Sequence, residues 1–102
     1  MIKVNISGGI NVGGFHYVID ASKEAHLDCI SQDRYGTTNG FRKLITLDSE
    51  VSPEQFNETF IHEILESVCP IYGVKLEHEQ LSSLAYGIHQ VMESLGVRFV
   101  AK

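Results

Sequence analysis

The sequence predicts an α+β domain in which an N-terminal antiparallel or mixed β-sheet is followed by two antiparallel helices. Three observations carry this expectation. Apolar and β-branched residues cluster in short runs between glycine-rich turns in the first half. Apolar residues recur at helical spacing in two long stretches of the second half. Ser52-Pro53 and Gly96 supply start and stop signals for those stretches. A chain of 102 residues encloses one core and not two, so residues 1–102 are read as a single domain.

Lys3–Ser7 and Phe15–Asp20 read as two strands of a hairpin, with the glycine-rich run Gly8–Gly14 as a bulged or longer loop between them. A phosphate cradle is the rival reading of that loop, but neither a basic residue nor a helix start follows it. Ala21–His26 reads as a short helical turn or a loop. Leu27–Gln32 and Phe41–Asp48 then flank the segment Asp33–Gly40, which ends in the Asn39-Gly40 turn signal. Within the second flank, Leu44–Leu47 is apolar and β-branched enough for a sheet strand.

Ser52 is a natural N-cap, and Pro53 at the first helical position loses no hydrogen bond. The helix Ser52–Val68 carries Phe56, Phe60, Ile61, Ile64, Leu65 and Val68 as one apolar stripe. Pro70 cannot continue it, and Gly73 turns the chain. A second helix, about Glu77–Leu95, directs Leu81, Leu84, Ala85, Ile88, Val91, Met92 and Leu95 inward. Gly96 ends it, and Val97–Val100 returns as a short edge strand.

Charge and composition exclude several functions. The net charge is −5 and no basic cluster exceeds Arg42-Lys43, so the phosphate neutralisation that drives nucleic-acid binding is missing. No apolar run reaches the roughly 18–20 residues of a membrane span. Met1–Ser7 alternates polar and apolar residues and lacks a signal peptide's apolar region. Two cysteines, Cys29 and Cys69, make no disulfide framework, so reduced thiols in a cytoplasmic compartment are expected.

The chemistry lies in His62-Glu63-Ile64-Leu65-Glu66, which reads HExxE. In the zinc-hydrolase pattern HExxH, two histidines four apart bind zinc from one helix face and the adjacent glutamate acts on the water. Residues four apart are neighbours on a helix, so His62 and Glu66 are able to chelate one ion. They project roughly opposite the apolar stripe, with Glu63 between them and its edge. A short loop makes antiparallel helix neighbours, which brings His78, at the start of the second helix, beside the end of the first. The expected ligands are therefore His62, Glu66 and His78, a His₂Glu donor set with its roles permuted, and the expected cofactor is Zn²⁺. Cys69, three residues after Glu66, is a minor candidate. Glu63 is the expected general base.

Two functions follow from this set. One is a peptide-bond hydrolase that leaves the fourth zinc position to water. The other is a non-catalytic interaction module, either metal-free or with a closed, four-ligand structural zinc. A carboxylate in place of an imidazole donates negative charge, which alters metal preference and Lewis acidity.

Other polar residues are weighed against plainer roles. Tyr72 and Tyr86 are candidate oxyanion donors, although tyrosines with buried rings and wet hydroxyls are commonplace. His89 lies eleven residues after His78, about three turns away and too far to share its ion. His16 and His26 read as structural. Arg34 and Tyr35 border a turn that could overhang a cleft and read as solvent-exposed turn residues. Glu58, four before His62, either orients that ring or makes an ordinary surface contact.

From about Phe41 to Leu95 the chain resembles the small gluzincin-type metallopeptidase-like domains common in bacteriophages and prophages. The likeness rests on Ser52-Pro53-Glu54-Gln55, on Thr59-Phe60-Ile61-His62-Glu63-Ile64-Leu65-Glu66 and on the run from Leu76 to Ile88. The N-terminal strands match only in pattern. The family's active-site helix usually reads HExxH, and its third ligand, often Glu, opens the next helix in a run ending Leu-Ala-x-Gly-Leu. Aligning that run on Leu84-Ala85-Tyr86-Gly87-Ile88 puts the third ligand at His78, with Glu77 and Glu79 as one-residue alternatives. The resemblance implies a zincin-like fold, a zinc site, a peptide or protein substrate or partner, and, for a phage protein, the host-cell cytoplasm.

Overall fold

The computed structural model describes residues 1–102 and has an α+β fold of six strands in two sheets and three helices. The order is β1 (Ile2–Asn5), β2 (Ile10–Val12), β3 (Phe15–Asp20), α1 (Lys23–Ser31), β4 (Gly36–Asn39), β5 (Leu44–Leu47), α2 (Pro53–Ile71), α3 (His78–Ser94) and β6 (Val97–Val100). The main sheet runs β2-β3-β5-β4, with β3 parallel to β5 and the other two pairs antiparallel.

The first strand does not form the expected hairpin with Phe15–Asp20. It pairs in parallel with β6 in a separate two-stranded sheet, Ile2 opposite Val97 and Asn5 opposite Val100. The hairpin lies inside the glycine-rich run, where Val12 faces Phe15 across Gly13-Gly14. Both turn glycines have positive φ, 58° and 83°, the geometry of a two-residue hairpin turn whose twist matches its strands. Glycine density thus marks a tight turn flanked by a strand, not one long loop.

Ala21–His26, expected as a short helical turn or a loop, and Leu27–Gln32, expected to flank the next turn, together hold one helix, α1, over Lys23–Ser31. Ser22 caps it by accepting from the Ala25 amide, and its Ala25 and Cys29 are buried where it packs on β5. The strand before the Asn39-Gly40 turn is therefore β4, not Leu27–Gln32. It lies at the sheet's edge, opposite β5.

The helix α2 has the predicted cap, with the Ser52 hydroxyl accepting from the Gln55 amide and Pro53 opening the first turn. It runs through Pro70 to Ile71, three residues past the expected end at Val68. In the last turn a proline forfeits only one bond, and its ring points to solvent. The true stop is a Schellman closure: Gly73, at φ 70°, donates to Pro70, and Val74 donates to Cys69.

The core joins Tyr17 and Ile19 of β3 and Ile45 and Leu47 of β5 to Phe56 and Phe60 of α2, with Ile6 and Val12. α2 is central: it also packs on β4, β6 and α3. The two long helices are antiparallel neighbours as expected, since His78 lies beside His62 while β6, after α3, returns to the start of α2. There the buried Asn57 side chain donates to the Phe99 carbonyl at 3.0 Å and accepts from the Phe99 amide at 2.6 Å. The stripe expected inside α3 is only partly buried. Leu81 and Ala85 are, whereas Leu84, Val91 and Leu95 are exposed, because α2 covers a narrow seam of that helix. No helix is long and apolar enough to cross a membrane.

Candidate metal centre

The last turns of α2 and the first residue of α3 bring three candidate ligands together. One ligand atom from each of His62, Glu66 and His78 lies within 4.8 Å of the others. His62 Nε2 stands 3.6 Å from Glu66 Oε1, and the His62 and His78 rings meet edge to face with centroids 5.6 Å apart. Donors about 2.1 Å from a tetrahedral zinc are about 3.4 Å from one another. Small side-chain movements would therefore let this set hold an ion, and two imidazoles with one carboxylate suit zinc chemically.

Local sequence explains the convergence. His62 and Glu66 share a helix face through their four-residue spacing. His78 is the first helical residue of α3 because Glu77 caps that helix, its amide accepted by the Gln80 side chain at 2.9 Å in a capping box. Neither Glu77 nor Glu79 joins the group. Cys69 also stands outside it, but lines an adjoining cavity of about 550 Å³ together with Glu66 and His78.

Glu63, which the sequence places between His62 and Glu66 and the edge of the apolar stripe, is buried. It is 6% exposed, because Thr59, Glu63 and Ser67 form a second buried stripe of α2 on the side of β4. The Thr38 hydroxyl of β4 donates to Glu63 Oε1 at 2.7 Å and also approaches the Glu63 carbonyl at 3.2 Å. Burial pushes the Glu63 carboxyl above its ordinary value; the Thr38 hydrogen bond and the nearby His62 pull the other way without cancelling it. β4 can lie this close because of Gly36, where an added Cβ would stand 2.7 Å from a Thr59 methyl group.

Glu63, His62 and His78 face one cleft of about 320 Å³, whose walls include Arg34, Tyr35, Glu58 and Tyr86. Of the two candidate oxyanion tyrosines, Tyr86 reaches this cleft, while Tyr72 caps α2 in solvent outside it. Arg34 and Tyr35 border the cleft although both are exposed. Glu58 accepts from Gln55 at 3.4 Å and makes no hydrogen bond to His62, so the orienting role is not seen. His89 is half-buried farther along α3, with Nδ1 unpartnered.

Sequence reasoning left His26 without a partner. Its Nδ1 is 2.7 Å from the buried Asp48 and its Nε2 is 3.6 Å from Glu50, tying α1 to the loop before α2. No local spacing signals a contact made across twenty-two residues. His16 pairs with Asn11 across the β2–β3 hairpin at 3.0 Å, a structural contact as expected.

Comparison with protein-family models, curated proteins and solved structures found no match for this chain.

Proposed function

We propose that the protein is a zinc-binding, metallopeptidase-like domain of the phage gluzincin type that hydrolyses a peptide or isopeptide bond. The observation that carries this reading is the convergence of His62, Glu66 and His78 beside the buried carboxyl of Glu63. Zinc held by these three side chains would supply Lewis acidity toward a carbonyl and acidify a water. Glu63 takes the proton from the attacking water and returns it to the leaving amine. Thr38 fixes the carboxyl's orientation. β4 is an edge strand beside the cleft, and its free backbone groups offer an extended peptide a template.

A second reading has its own support. Cys69 is buried and shares a cavity with Glu66 and His78, so a thiolate as fourth ligand would close the site into a structural zinc of a non-catalytic module.

Zinc stoichiometry in protein purified without added metal tests the reading. The native chain should hold one zinc, and His62→Ala, Glu66→Ala and His78→Ala should each lose it. Retention of tightly bound zinc by all three variants would sink the site. Glu63→Gln should keep the metal and lose hydrolysis of a peptide library, whereas a Cys69→Ser variant that loses zinc would favour the structural alternative.

A further inference from the structure

Among the residues lining the cleft, Arg34 is the one lysine or arginine. It contrasts with Arg98, whose guanidinium is held between Glu54 and Glu93. The Arg34 guanidinium has no ion-pair or hydrogen-bond partner; only its backbone is engaged.

That backbone is clamped on both sides. The Arg34 amide donates to the Cys29 carbonyl and the Asp33 amide to the Ile30 carbonyl, each at 3.1 Å, which closes α1 in a Schellman motif. The left-handed position of this motif is glycine at the end of α2, Gly73, but here it is Asp33, at φ 52°. One residue after Arg34, the Tyr35 carbonyl accepts from the Asp48 amide at 2.9 Å. The chain thus fixes where Arg34 leaves the main chain, and Arg34, its guanidinium unpaired, lines both this cleft and a neighbouring cavity that includes Asp33 and Asp48. Of the two acids lining the cleft, Glu58 accepts from Gln55 and Glu63 accepts from Thr38.

We infer that Arg34 is a specificity-determining residue that binds a carboxylate of the substrate, so that the cleft selects peptides bearing a free carboxylate close to the bond cut. This rests on the proposed hydrolase reading. A planar guanidinium meets a carboxylate through two parallel N–H···O bonds, a match that a point-charge lysine does not reproduce. In a chain of net charge −5, a cationic side chain in the cleft also offsets the general repulsion of an anionic substrate. The carboxylate is either the peptide's C-terminus or an aspartyl or glutamyl side chain.

The test measures binding, not turnover. Three hydroxamate ligands on one short peptide would be titrated into the zinc-loaded protein: one with a free C-terminus, one amidated, and one amidated with an aspartyl side chain. At least one carboxylate ligand should bind roughly ten- to a hundredfold tighter than the neutral amide, and which one it is identifies the source. Arg34→Gln should abolish that preference while zinc stoichiometry and the unfolding midpoint stay as in the native chain. Arg34→Lys should restore only part of it. Equal affinity for acids and amide, or a preference that survives Arg34→Gln, overturns the inference and leaves the zinc reading standing. A protein that holds no zinc overturns both, and the stoichiometry separates the two cases.

Discussion

Zinc should act as a clasp between the two long helices, and the strength of that clasp is calculable. His62 and Glu66 belong to α2 and His78 to α3, so an ion on all three binds only the native arrangement. A ligand of that kind, at a free concentration a hundred times its dissociation constant, stabilises the fold by about 2.7 kcal/mol, or roughly 11–22 °C in Tm for a chain of this size. His78→Ala leaves two ligands on one helix. Loss of a mere outer-shell partner weakens metal sites up to about a hundredfold, so loss of a direct ligand costs at least that much, and the stabilisation at the same zinc concentration falls to about 0.4 kcal/mol. His78 is exposed, so the substitution should change metal-free stability by less than about 0.5 kcal/mol. Thermal unfolding followed by circular dichroism, with chelator and with buffered zinc, measures all four values. A zinc-induced rise as large in His78→Ala as in the native chain, or none in either, would refute the clasp.

Other consequences are independent of metal. Burial raises the Glu63 carboxyl, so in metal-free protein this group favours folding most while protonated, below its unfolded value near 4.5, and that advantage is lost as pH climbs through the raised native value. Glu63→Gln keeps the acceptor for Thr38 and should raise the urea midpoint at neutral pH, with the gain vanishing at acid pH; a variant less stable than native at neutral pH would contradict the assignment. Asp33→Gly should stabilise by about 0.5–1 kcal/mol in chemical unfolding, since glycine adopts φ 52° without strain. Gly36→Ala should destabilise by about 1–3 kcal/mol, because the new methyl meets Thr59, the Thr46 carbonyl and Leu47 within 3.2 Å. An unchanged midpoint for that variant would mean that β4 and α2 are less closely packed than described.

The second half of the chain was readable because its signals are local. Ser52-Pro53, the apolar spacing of α2 and α3, Gly73 and Gly96 each act within a turn or two of themselves, and the short connection between the helices brought His78 to His62 and Glu66 without further information. The first half was misread where partners are distant. β1 carries an alternating pattern that fits any neighbour, and its partner is β6, at the other end of the chain. α1 has a weakly amphipathic sequence whose Ala25 and Cys29 face β5, so only a short helical turn or a loop was legible over Ala21–His26. At the site, the proximity of His62, Glu66 and His78 followed from spacing, but the burial of Glu63 did not, because it depends on Gly36 and Thr38 bringing the edge strand against α2. Arg34 was legible as a loop cation, while the clamp that holds its backbone at the cleft follows only from the end of a helix the sequence did not reveal.

Diffraction from crystals grown with zinc, recorded on either side of the zinc absorption edge, would locate the metal itself. One strong anomalous peak should lie within bonding distance of His62, Glu66 and His78. No peak there, or a peak confined to another cluster such as His26, Asp48 and Glu50, would contradict the proposed site.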